Sequence, residues 1–492
     1  MDDIRDFDVV IIGAGIVGAM VARELSRYEL RILLLDREAD LGMGASSANS
    51  AILHAGYDPA PGTLKARLNV AGNKAWDSLC PELDIPFRRT GSYVVAIGEE
   101  ELPPVERMFQ QGMDNGVPGL KLIRREEMLT REPLINRRVA GALYAPTAGV
   151  IDPFQAVLAS AECAVLNGAQ VRLNCRVQGF QRDGDRITAV MTNQGPFRCR
   201  FAINCAGAGA AQVLDQALPG TGMSIRLRRG EYFIYDCNEI VINNILLPTP
   251  SARGKGVLVS TTTHGNVMIG PNSAPVEAET DRGTTPEGLE EIVSVARRLV
   301  PVIGNRGVIA SYAGLRACGH PNEDFQIQAP AEAKGFINVF GINSPGFVSA
   351  PAIATMVADL LREEGLPFLP RRSFRPERPA PPRYHLLSHR EKAELIAREP
   401  AYGRIVCRCE EITEGEILAA CRGPIPATTY DAVKRRTWLG TGRCQGAFDY
   451  PRVLEILARE LGVPITEVTK SGPGSEFIVR ATKDVEVGHG AM

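Results

Sequence analysis

Three thiols and one carboxylate stand near the C-terminal end at a spacing that suits a metal: Cys407-x-Cys409, Cys444, and Asp449 five residues further on. Soft thiolate sulfur holds iron in both of its common oxidation states, and Cys-x-Cys…Cys-x4-Cys is a [2Fe–2S] spacing. Asp449 occupies the place of the fourth thiolate. A carboxylate ligates iron as a harder donor, so three readings stay open. The cluster binds with Asp449 as ligand, the domain is a scaffold that has lost its cluster, or another metal such as zinc takes the sulfur and oxygen donors.

At the other end the chain reads Asp8-Val-Val-Ile-Ile-Gly13-Ala-Gly15-Ile-Val-Gly18. Gly-x-Gly-x-x-Gly alone is a weak signal, but here it follows an aliphatic strand, opens a helix (16–28), and precedes a second strand (31–35) ending at Asp36. Gly13 permits a tight turn, Gly15 lets backbone approach a pyrophosphate, and Gly18 allows helix to pack on strand. The helix N-terminus offers free N–H groups to phosphate, and Asp36 can accept from a ribose. Further small-residue turns follow: Ser46-Ser47-Ala-Asn49-Ser50, Asn204-Cys-Ala-Gly207 and Gly341-Ile-Asn-Ser-Pro345-Gly346. A long dinucleotide threading under loops drawn from the whole chain favours FAD, and no second such fingerprint in strand context offers NAD a site. Val177, closing the expected strand 171–177, joins this cofactor set. A flavin at one end and a one-electron relay at the other point to electron transfer.

These groups must be positioned by a chain of 492 residues, too long for one simple core. With 55 Lys and Arg against 57 Asp and Glu, the net charge of −2 gives no bulk attraction to nucleic acid or to a membrane surface. Eleven scattered cysteines read as reduced thiols of the cytoplasm and not as a disulfide framework. The acidic first residues lack the pattern of a signal peptide, and no apolar run is long enough to span a bilayer. Buried parallel strands are expected at 9–12 and 32–35. Short turn-bounded strands are expected at 92–97, 171–177, 186–191, 231–235, 257–260 and 267–269, suiting a mostly antiparallel sheet. Further strand-to-turn elements are read at 201–207 and 335–346, with helices at 63–79 and 350–364. The run Pro367–Tyr384, dense in Pro and Arg, reads as extended chain.

Across roughly residues 5–365 these motifs resemble the D-amino-acid-oxidase-like (glycine oxidase-like) flavoprotein superfamily. The segment from Asn49 through His54, Tyr57 and Gly62 to Lys65 is similar to its branch of glycerol-3-phosphate and L-2-hydroxyglutarate dehydrogenases. Residues Arg229–Tyr232, Lys255–Val259 and Thr263–Pro271 resemble the soluble, anaerobic-type glycerol-3-phosphate dehydrogenase members, and Ala313-Gly-Leu-Arg316 matches the superfamily's substrate-anchoring arginine segment. Residues 403–480 resemble the bacterioferritin-associated-ferredoxin-like (BFD-like) [2Fe–2S] domain. The implied fold is α/β and α+β: a Rossmann-like FAD-binding domain with an interleaved antiparallel-sheet substrate domain over 1–368, a Pro/Arg-rich linker over 369–402, and a small, mostly helical BFD-like domain over 403–492.

Oxidation of a C–H bearing a hydroxyl or amine needs a cation for the substrate's anionic end and a base for its proton. Arg316 is the anchor, because a guanidinium fork suits phosphate or carboxylate. His54 and His264, two of six histidines, lie in Gly-flanked turns and either can serve as base. Lys255 is a second cation, with Tyr57 and Lys65 as further polar candidates. The expectation is an FAD-dependent dehydrogenase acting on a small anionic secondary alcohol, first of all glycerol 3-phosphate. Its electrons pass to a second flavoprotein, an Fe–S subunit or a quinone-linked subunit. The rivals are L-2-hydroxyglutarate, amine, opine or proline oxidation, an oxidase, and a non-catalytic electron-transfer or assembly subunit.

Overall fold

The computed structural model describes residues 6–250, 256–480 and 483. The chain divides into two compact units, residues 1–37 with 41–379 and residues 38–40 with 380–492.

The first unit is built on two sheets whose strands alternate along the sequence. In the eight-stranded sheet, Asp6–Ile12 lies between Ile32–Leu35 and Gly195–Asn204, all parallel, with Phe336–Phe340 parallel to the latter. The run Val9–Ile11 is completely buried, as is Leu33, which explains the uninterrupted aliphatic sequence; each such side chain contributes about 1.5–3 kcal/mol by leaving water. The hairpin Val177–Asp183 and Arg186–Thr192 extends one side and Gln170–Arg172 the other.

The expected strand 171–177 is two strands. Asn174 takes a left-handed φ of 53°, which an Asn tolerates and which breaks the ladder. Cys175 then donates to the Asp36 carbonyl before Val177 opens the next strand.

The nine-stranded sheet is antiparallel apart from Ile245–Pro248 beside Ser92–Ile97. Its backbone is the long ribbon Ser224–Tyr235 paired with Val308–His320. The expected strand 231–235 is thus the end of a 12-residue strand. Strand 308–320 was not anticipated, because Ala310, Ala313, Gly314, Ala317 and Gly319 give it no aliphatic pattern.

The segment 369–402 is extended only in part. Arg371 donates to the Ser26 and Tyr28 carbonyls, and Arg378 pairs with buried Glu162 at 2.5 Å, all within the first unit. Beyond Pro379 a helix forms at His389–Arg398, started by a capping box in which Ser388 and Glu391 satisfy each other's backbone N–H. The second unit continues with the hairpin Ile405–Cys407/Ile412–Thr413 and helices Glu414–Arg422, Tyr430–Thr437 and Tyr450–Leu461. Ile417, Val433, Val453, Ile456 and Leu457 form its core. Asp40 belongs to this unit, accepting from Arg435 and Arg436. Among the described residues no helix is long and apolar enough to cross a membrane.

Candidate active site and cysteine cluster

Gly13 turns out of the first strand at φ 106°, and a Cβ there would lie 2.5 Å from the Cys205 carbonyl oxygen. A Cβ on Gly18 would strike the Gly13 carbonyl, so helix Ile16–Leu25 starts hard against the turn. Gly15 sits beside Ser46, whose Oγ accepts from Ile16 N–H at 2.9 Å. The Asp36 carboxylate accepts from Ala14 N–H at 2.6 Å. These contacts draw Gly13, Gly15, Gly18, Asp36 and Ser46 into one cradle at a helix N-terminus, and Cys175 brings Val177 to its edge.

Gly207 (φ 57°) begins the turn after strand Gly195–Asn204, against which Gly13 packs. Gly341 (φ 71°) lets its turn pass close to Gly319 of the long ribbon, and Pro345 and Gly346 start helix Gly346–Glu363. In that turn the side-chain oxygen of Asn343 is buried without a partner among the described residues. Side-chain-free backbone at every close approach, with an unused buried acceptor, fits a threaded dinucleotide.

The remaining small residues bend the chain toward the ribbon. Ser47 Oγ donates to the Gly44 carbonyl, and Asn49 Nδ2 donates to those of Ala45 and Ser46. Ser50 Oγ lies 3.4 Å from Tyr232 Oη. Tyr232 and Tyr312 face each other across the two long strands, their rings 4.6 Å apart and nearly parallel, and Tyr312 donates to the Asn49 carbonyl. Burial pushes both phenols up, partly offset at Tyr232 by Arg316, so both stay protonated. Arg316 shares their face of the ribbon, two and four residues along from Gly314 and Tyr312. Among the described residues its two hydrogen bonds both go to the Asn272 carbonyl, and no carboxylate pairs with it.

His54 follows the short strand Ile52–Leu53. Its carbonyl accepts from Asn69 Nδ2 at 2.7 Å and Asn73 Nδ2 at 2.9 Å, both on helix Leu64–Leu83. His264 lies in the turn between strands Leu258–Thr261 and Val267–Gly270. Arg88, from the ribbon paired through Gly149–Ile151 to Ile52–Leu53, donates to the Thr261 hydroxyl and the Thr262 carbonyl. The segment Ser50–His54 therefore runs from Tyr232 to a three-stranded sheet whose Arg88 side chain holds the residues just before the His264 turn. Lys255 lies outside the described residues. Tyr57 is buried against Ser92, burial raising its phenol, and Lys65 donates to the Glu323 carbonyl. Tyr232, Tyr312, Asn272, Arg88, Asn69 and Asn73 were not anticipated. Only the Asn69-x3-Asn73 pair, two amides on one face of a helix, left a sequence signal.

In the second unit Cys407 Sγ and Cys409 Sγ are 3.7 Å apart, and Cys409 Sγ and Cys444 Sγ 3.4 Å. Gly440 N–H points at Cys407 Sγ, 3.4 Å away. Asp449, buried at the start of helix Tyr450–Leu461, accepts from Tyr430 Oη at 2.7 Å. Burial raises its carboxyl, and Tyr430, the Cys407 thiol and Lys434 partly offset this. Burial also raises the Cys407 thiol to about 12. Among the described residues no three His, Cys, Asp or Glu side chains are set around a single metal ion.

The family described as "FAD dependent oxidoreductase" matches residues 8–360, and "BFD-like [2Fe-2S] binding domain" matches residues 405–459. A glycerol 3-phosphate dehydrogenase of Caloramator mitchellensis is 44% identical over 97% of this chain and 99% of its own. A glycerol 3-phosphate oxidase of Mycoplasma genitalium is 30% identical over 73% of this chain and 95% of its own. The dithionite-reduced, FAD-bound L-alpha-glycerophosphate oxidase of Mycoplasma pneumoniae superposes with a TM-score of 0.72 at 28% identity, covering 77% of this chain and 99% of that one. With its nucleotide cradle, interleaved sheets and cysteine domain, this chain belongs to the FAD-dependent oxidoreductase family and carries a BFD-like [2Fe–2S]-type domain behind the catalytic unit.

Proposed function

We propose that the protein is a glycerol 3-phosphate dehydrogenase. The observation that carries this reading is the Arg316 guanidinium, on the Tyr232–Tyr312 face beside Ser50, with no carboxylate partner among the described residues. A dianionic phosphate supplies the missing counter-charge and uses the fork geometry. The near full-length likeness to the Caloramator mitchellensis dehydrogenase supports the same substrate.

The cradle at Gly13–Gly18 would hold FAD, which would supply the hydride acceptor. Arg316 binds the phosphate and fixes the secondary carbon. His54 accepts the proton of the carbon-2 hydroxyl, with its backbone steadied by Asn69 and Asn73. His264, in the turn between strands Leu258–Thr261 and Val267–Gly270, contacts the substrate's polar end. The stacked tyrosines give a wall that keeps water from the reacting carbon.

The two oxidases match about three-quarters of this chain with nearly their whole length, an extent close to that of the FAD-oxidoreductase match. The dehydrogenase matches almost all of it. The extra unit supports onward transfer to a partner protein, a second flavoprotein or Fe–S subunit, in place of direct reduction of oxygen.

The test is anaerobic titration of the oxidised-flavin absorbance with glycerol 3-phosphate, with L-2-hydroxyglutarate and proline run in parallel. Bleaching by glycerol 3-phosphate alone is expected. Arg316→Ala keeps its flavin and loses about 10²- to 10³-fold in kcat/KM, the size of an unpaired charge-assisted contact. Bleaching by one of the other compounds, or an unaffected Arg316→Ala variant, overturns the proposal.

A further inference from the structure

Beside the thiols of the second unit lies a buried carboxyl oxygen that makes no hydrogen bond of good geometry among the described residues. Asp449 is 1% exposed. Its Oδ1 is satisfied by Tyr430 Oη, whereas Oδ2 makes no hydrogen bond among the described residues. The Cys407 thiol lies close enough to the carboxyl to help hold it down, so a thiol and the unpaired oxygen converge on one place. A buried carboxylate oxygen left unpaired is costly, so its retention calls for a ligand.

The surrounding loop is shaped for one. Gly440 N–H is directed at Cys407 Sγ, the kind of donor that stabilises cluster thiolates. A Cβ on Gly442 would lie 2.9 Å from Cys409 Sγ. A Cβ on Gly446, at φ 87°, would lie 2.6 Å from Tyr430 Oη. Glycine at these two places keeps the space at the sulfurs and at the phenol open. Tyr430 is itself fully packed between Tyr450 and Phe477, so its hydroxyl is a fixed post and not a swinging group.

We infer that Asp449 is the fourth protein ligand of a [2Fe–2S] cluster, bound through Oδ2 beside the thiolates of Cys407, Cys409 and Cys444, while Tyr430 holds Oδ1. These three thiolates and the carboxylate would hold the cluster, which would supply a one-electron carrier. The harder oxygen donor favours ferric iron, so the midpoint potential lies below that of the same site with four thiolates.

The experiment uses the full chain purified without oxygen, assayed for iron, acid-labile sulfide, zinc and FAD, then reduced with dithionite for electron paramagnetic resonance. Wild type is expected to hold about two irons and two sulfides per chain. Asp449→Cys keeps that content, with altered g values and a higher midpoint potential. Asp449→Asn loses most of its iron while FAD occupancy is unchanged, which shows that the chain is still folded. Tyr430→Phe keeps the iron and shifts the signal. The inference is overturned if wild type carries zinc or no iron while Asp449→Cys fills with a cluster. It is equally overturned if Asp449→Asn keeps a cluster with an unchanged spectrum, since the fourth ligand must then lie elsewhere.

Discussion

At the scale of single residues, the flavin cradle is governed by atoms that are absent. At Gly13 a methyl group would meet the Cys205 carbonyl oxygen at 2.5 Å, in a backbone conformation that an L-residue already resists. Gly13→Ala is expected to yield protein without FAD, or no folded protein, measured as the ratio of flavin to protein absorbance. At Arg316 the opposite logic holds, because what matters is an unbalanced charge held by a neutral carbonyl. The sequence marked Gly13, Gly18 and Arg316 because glycine spacing and a short motif are local. It gave no sign that Tyr232 would stack on Tyr312, because the two meet only where strands more than seventy residues apart come into register.

At the scale of elements, helix Leu64–Leu83 serves the site through its buried amides. Asn73 Nδ2 donates to the His54 and Thr147 carbonyls at 2.9 and 3.0 Å. Asn73→Ala leaves buried acceptors unpaired and frees the His54 backbone. It is expected to cost about 1–3 kcal/mol of stability and to lower kcat more than it raises KM, read by thermal unfolding and steady-state kinetics.

In the second unit Glu414 is a buried carboxylate taken up by Arg404, Arg459 and Arg452. The hydrogen bond from Arg404, followed by those from Arg459 and Arg452, outweighs burial and holds its carboxyl at about 2. Its folded value lies below the ordinary 4.5, so its stabilisation is complete above about pH 4.5 and is lost as pH falls toward 2. Glu414→Gln should be less stable than wild type at pH 7 by about 1–2 kcal/mol, the guanidinium groups being partly in water. In urea unfolding at pH 7, 4 and 3 the gap should narrow step by step.

Elements were legible where periodicity or punctuation was strong, as in strand 9–12 and its glycines. They were misread where one residue decided, as at Asn174, or where proline and arginine masked a helix whose Ser388–Glu391 capping box was in plain sequence.

At the scale of the molecule, the flavin-type family match and the BFD-like match fall in different units of the chain, so the two proposed chemistries can be separated by assay. Cys409→Ser should leave bleaching of the flavin by glycerol 3-phosphate unchanged while lowering turnover with a one-electron acceptor protein. A variant that loses both equally would place the thiols in the folding of the catalytic unit instead.

The interleaving of the two sheets has a further consequence for how the chain is made. Strand Asp6–Ile12 leaves the ribosome first, yet its partner Gly195–Asn204 lies about 190 residues behind it. The next parallel strand, Phe336–Phe340, follows more than a hundred residues later again. At about 5–20 residues per second that is roughly 10–40 s before the first aliphatic strand is covered on both sides. During synthesis one edge of that strand therefore waits without its partner. The turn at Gly341–Gly346, the last of the small-residue turns near the Gly13 cradle, emerges later still, so a dinucleotide held by both closes the fold only once that length of chain is made.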